Sequence, residues 1–437
     1  MTAVQRPPAS RSQRSLRPSS ATVRQRLGAL LLVAVILTVI AYEVWPDPSP
    51  TPPPPDDLTH VKGYGGGLKQ TFLSDPEVAT ILAERYRLKV DIDMVGSNDI
   101  ACNILLVPED DFVWFGNSVV LERYKSCGGT VLSADNTYYS PIALYSWAKI
   151  VDAFVTEGVA QLQADGSYSL DFAALVTLIE RGQTWTSFGL SGYHGAISVQ
   201  TSDPQRSNSG FLLAGLLANT LNGGNVVNAA TVEPLLPRIQ SIIQKNGYMP
   251  GTSAELWNLF IATRIPIVAL YESQIIEHAV ANPDQLTQIN QDIRVLYPDP
   301  TVWATHPFVA RTTGGQELMR ALKDCDIQRL AAEKHGQRPS VSCVEFAPAV
   351  TEIRGEVTSV IGMPEPGVMD IILEAIAGVV TVSTPAPASP PITSANGSLA
   401  WIGPASLSTR RRQRPSSKLG SSRITDRLAK SRFTLKC

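Results

Sequence analysis

Four stretches of this chain put small or hydroxyl-bearing residues where a strand hands over to a helix: Gly65–Gly67, Ser97–Asn98, Thr201–Ser209 and Tyr271–Ser273. The first N–H groups of a helix have no intrahelical acceptor, so such starts can hold anionic or carbonyl oxygens without a countercharge. Ser207, Asn208 and Ser209 make the sharpest case, because they precede the apolar run Phe211–Leu221, which must pack rigidly. Plain N-capping explains the same residues equally well. Arg206, Arg264 and Arg311 are at hand to supply charge, and Tyr64, Trp114, Tyr138, Tyr139, Tyr145 and Trp303 to wall a cleft.

Catalytic patterns are missing. There is no GxSxG elbow, HExxH pair or GxxxxGK[ST] phosphate loop. Gly63-Tyr64-Gly65-Gly66-Gly67 is glycine-rich without the GxGxxG order and reads as a tight strand-to-helix turn. His60, His194 and His306 are isolated, and Asp91/Asp93 and Asp110/Asp111 read as solvated strand ends. A hydrolase built on Ser140 or Ser209 would lack a base. No enzyme, cofactor or metal site is therefore expected.

The elements that must position these residues alternate as α/β. Leu58–Val61, Leu88–Val95, Ile104–Val107, Val113–Phe115, Gly195–Val199, Ile265–Tyr271, Ile293–Leu296 and Trp303–Val309 read as strands. Leu68–Phe72, Ser74–Tyr86, Ser169–Glu180, Phe211–Leu221, Glu272–Ala279 and Gly314–Ala321 read as helices, with a further helix at Val368–Ile376. Thr137–Ser146 reads as a crossing between two bodies. This predicts a first lobe from 58–140 with 298–345, and a second from 141–297; a single large sheet would give the same alternation. Cys102 with Cys127, and Cys325 with Cys343, suit two local disulfides, or else four small buried side chains.

At 437 residues, 44% hydrophobic and only 17% charged, the chain is long enough for substantial cores, and wholesale disorder is excluded. Its net charge of -2 conceals two basic ends around an acidic middle, so nucleic acid is not an expected partner. Residues 1–26 read as a basic cytoplasmic arm and Leu27–Trp45 as a transmembrane signal anchor in contact with membrane lipid. A cleaved signal peptide or a buried helix are the rival readings of that run. A proline-rich linker, 46–57, follows; at the far end lie an extension, 346–380, and a low-complexity basic tail, 381–437. The main body is accordingly expected outside the cytoplasm, tethered by one span.

Several of these segments together resemble the bacterial extracellular solute-binding proteins of the type 2 periplasmic-binding class. They are Gly66-Gly67 with Phe72-Leu73-Ser74-Asp75-Pro76-Glu77-Val78, Val95-Gly96-Ser97, Tyr139-Ser140-Pro141-Ile142 and Thr201-Ser202-Asp203-Pro204 with Ser207-Asn208-Ser209-Gly210. Leu296-Tyr297-Pro298 and His306-Pro307-Phe308 resemble the return crossover. The resemblance implies two hinged lobes that close on a solute, with ligand contacts from Gly66, Gly67, Ser97, Ser140, Ser209 and Tyr271. Asn98 and Asn208 join that set as neighbours in the same helix starts. The implied function is capture of a small polar or anionic solute for an ABC-type importer, with its permease as partner. The alternative is a non-catalytic, membrane-anchored scaffold or sensor component with a degenerate cleft.

Overall fold

The computed structural model describes residues 58–378. Its first sheet has five strands in the order Leu88–Met94, Thr59–Gly65, Phe112–Trp114, Pro307–Ala310, Ser133–Asn136. The first three are parallel, and Pro307–Ala310 runs antiparallel to both neighbours. Thr59–Gly65 continues straight through the glycine run that the sequence suggests as a turn. Gly63 is needed there because a Cβ at that position would lie 2.3 Å from the Phe112 carbonyl oxygen. The turn shrinks to Gly66, which caps helix Gly67–Leu73.

Strand Tyr138–Trp147 opens the second sheet. Nine of its ten residues are buried, and it pairs antiparallel with Ile267–Tyr271, Ile293–Pro298 and Trp303–Ala304. Tyr168–Leu170 and Ala160–Leu162 extend the sheet beyond Ile293–Pro298. The return is abrupt: Trp303–Ala304 lies in the second sheet and Pro307–Ala310 in the first. His306, buried and left-handed with φ 40°, makes the corner. Its carbonyl accepts from Trp114 Nε1 at 3.2 Å and Thr137 Oγ1 at 2.9 Å, fastening both crossings together.

Beneath the second sheet, helix Asn208–Leu221 is buried from Ser209 to Asn219, as expected for a helix apolar on all sides. Glu272 and Arg338 form a buried two-pronged ion pair, both contacts 2.7 Å, and the Tyr297 hydroxyl donates to the same carboxylate. Farther on, Val360 bridges to Thr301 beside the second sheet, and helix Pro366–Ile376 is the last element among the described residues. That helix packs on helix Leu236–Gln244 of the second lobe and helix Ser118–Ser126 of the first, with Arg123 and Asp370 3.3 Å apart. Disulfides join Cys102 to Cys127 and Cys325 to Cys343.

The expected transmembrane helix requires a correction. Among the described residues no helix is long and apolar enough to cross a membrane. The longest, Asn208–Leu221, has 14 residues and so spans roughly 21 Å, against a hydrocarbon core of about 30 Å. The segment Leu27–Trp45, named as signal anchor and lipid contact, lies outside the described residues, as do the basic arm, the proline-rich linker and the basic tail. The described fold therefore contains no single-pass span.

Candidate functional site

A cavity of about 580 Å³ lies between the two lobes, within the range of small-molecule sites. Residues 66–71, 94–97 and Asp99 form one wall; residues 206–208, 251–255, Tyr271, Gln274 and Glu277 form the other. Of the residues named from the sequence, Gly66, Gly67, Ser97, Asn208 and Tyr271 lie on these walls. Asn98, Ser140 and Ser209 do not. Asn98 reaches across to the carbonyls of Pro204 and Gln205, both at 3.4 Å, and so joins the lobes beside the cavity. Ser140 is fully buried within strand Tyr138–Trp147, where its hydroxyl has no partner. Ser209 is held in a cluster of hydroxyls, 2.8 Å from Ser202, 3.2 Å from Ser207 and 2.8 Å from Ser253.

That cluster ties the start of helix Asn208–Leu221 to the start of helix Ser253–Thr263. Ser207 occupies the N-cap position, but its hydroxyl turns to the other serines rather than to the helix backbone. Thr252 does cap its helix, accepting from Glu255 N at 3.2 Å. The Thr252…Glu255 spacing is a local helix-start signature. Helices Gly67–Leu73 and Ser97–Cys102 have only seven and six residues, and their caps, Gly66 and Gly96, carry no side-chain hydrogen bond.

The lobes meet closely at the edge of the cavity. Asn208 accepts from Asn117 Nδ2 of the first lobe and donates to the Tyr271 hydroxyl at 2.8 Å. A Cβ on Gly116 would lie 2.3 Å from the Asn208 side chain, and one on Gly96 would lie 2.7 Å from the Arg206 carbonyl oxygen. Burial holds the Tyr271 phenol well above its ordinary range, so it stays protonated. Ser97 Oγ accepts from Gly116 N at 3.0 Å, which fixes the cavity wall on the first lobe.

Lys69 was not singled out from the sequence. Its side chain is 3% exposed on the cavity wall, and its Nζ lies 2.8 Å from His306 Nδ1. Burial alone pushes the amine down to about 7. His306 is held well below its usual range, first by burial and then by the Lys69 charge. Gln274, 6% exposed, donates to Glu277 Oε2 at 3.1 Å and leaves its own Oε1 without a donor. Arg206, Asp99 and Glu255 are exposed at the rim. Arg264 stacks over Trp147 at 3.9 Å and Arg311 serves the carbonyls of Val107 and Asp110, so neither supplies charge to the cavity.

This arrangement suits binding rather than turnover. The Ser209 hydroxyl meets only other hydroxyls, and Ser140 meets no base, so neither is activated as a nucleophile. No group of three or more metal-ligating side chains occurs among the described residues.

No protein-family model matches the chain, and no curated protein matches it in sequence. Solved structures do match. A periplasmic thiamin binding protein aligns with a TM-score of 0.51 at 11% identity, over 75% of this chain and 97% of that one. The apo ferric ion-binding protein A of Pasteurella haemolytica aligns with a TM-score of 0.50 at 11% identity, over 73% and 97%. These likenesses show the fold: the chain has the bacterial type 2 periplasmic solute-binding fold.

Proposed function

We propose that this protein captures a small solute between its two lobes, outside the cytoplasm, for delivery to an ABC-type importer. The observation that carries the reading is the interlobe cavity, to which both lobes contribute polar side chains at closely approaching helix starts. The two disulfides support a location in an oxidising compartment. In this reading Gly66, Gly67, Ser97, Asn208 and Tyr271 contact the solute. Asn98 and Ser209 brace the walls, and Ser140 belongs to the hinge strand.

A thermal-shift panel of oxyanions, sugars, amino acids and metal chelates on the full chain tests this. At least one member is expected to raise the melting temperature and to bind at micromolar concentration or below. A folded protein that no member of a broad panel stabilises would remove the solute-binding reading and favour a scaffold with a non-functional cleft.

A further inference from the structure

Polar groups on residues of the cavity wall are left incompletely matched. Lys69 is a nearly inaccessible amine whose hydrogen-bond partner is a histidine nitrogen and which has no carboxylate within ion-pair distance among the described residues. Gln274 presents a buried amide oxygen with no donor; its orientation is set because only the amide nitrogen can face the Glu277 carboxylate. Glu277 accepts from Gln274 through Oε2, while its Oε1, 3.6 Å from His335 Nδ1, is buried without a hydrogen-bond partner and would likewise welcome a donor from the solute. Leaving a charge or a carbonyl oxygen buried and unmatched is costly, so a solute that answers both gains affinity from both. A bare inorganic anion would answer Lys69 but bring no donor to Gln274. A neutral solute would leave Lys69 without a countercharge.

We infer that the solute is a small organic acid carrying hydroxyl or amino donors beside its acidic group, with Lys69 holding the acid and Gln274 accepting from the donor. This rests on the cavity being the solute site. His306 from the return crossing contacts Lys69; Tyr271 from its strand and Glu277 from helix Ser273–Ala281 line the same cavity, with Asp99, Arg206 and Glu255 at the rim. His306 and Tyr271 are both held neutral by burial. An acid seated at Lys69 favours the ammonium form, so binding above about pH 7 takes up a proton and weakens as the pH rises further.

Calorimetric titration of the full chain with hydroxy acids and amino acids, beside sulfate and glucose, decides the matter. Measurements at pH 6.5 and 8.5, each in two buffers of different ionisation enthalpy, report the proton. Expected are binding of a donor-bearing acid, proton uptake at pH 8.5, and a loss of at least about tenfold in K69M. Q274L should narrow the preference for lactate over propionate, and it serves as the test if K69M fails to fold. Preferential binding of glucose or sulfate would overturn the inference while leaving solute capture in place, as would acid binding unchanged in K69M. Silence from every solute would instead overturn the proposed function itself.

Discussion

Lys69 and His306 are 237 residues apart in sequence and 2.8 Å apart in space, which is why the lysine's role was not legible from its surroundings. Within a short helix a lysine reads as solvated; only the return crossing buries it. Ser140, in the crossing segment, is completely enclosed by its strand. Gly66, Gly67, Ser97, Asn208 and Tyr271, which line the cavity, stand at strand ends and helix starts, positions that local sequence marks. Lys69 also gives a pH signature. Between about pH 7 and its ordinary value of 10.5 it is neutral in the folded protein but protonated in the unfolded chain. The unfolded chain then binds the extra proton, so this group's contribution makes stability rise with pH across that window. Urea unfolding at pH 7 and pH 9 should show a rise in wild type that is smaller in K69M; parallel behaviour of the two proteins would refute the assignment.

Helix Asn208–Leu221 and the long strand Tyr138–Trp147 were readable as elements because an apolar run with clear ends is a strong local signal. Two expected strands were not formed. At Ile104–Val107 the backbone is satisfied by side chains instead of a ladder: Val107 N donates to Asp110 Oδ2 and the Val107 carbonyl accepts from Arg311. Gly195–Val199 makes a single bridge, Thr184 to Ala196, and otherwise follows a loop. The helices around this region of the first lobe are short, and Cys102–Cys127 joins Ser97–Cys102 to the end of Ser118–Ser126. Closing that loop is worth about 3 kcal/mol in the chain-entropy account. The C102A/C127A variant should lose about that much stability in chemical denaturation, and the Ser97 wall should loosen with it. A variant as stable as wild type would show that packing alone holds the wall.

At the scale of the molecule, the alternation of strands and helices marked the α/β class but suited one large sheet as well as two lobes, and neither sheet's strand order can be read from sequence. Trp303–Val309, expected as one strand, instead serves two sheets, with the tight corner at Thr305 and His306 between them. The extension beyond 345 turned out to matter more than its composition suggested. Helix Pro366–Ile376 touches helices of both lobes and places a third connection beside the two crossings. The lobes, thus connected, enclose a cavity whose inner charge and hydrogen-bonding groups are incompletely matched. The most direct test is a crystal structure of the full chain grown with the best-bound member of the solute panel. The account predicts that solute between residues 66–71 and Gln274, its acidic group against Lys69 Nζ. A solute bound elsewhere, with the interlobe cavity left to water, would contradict it.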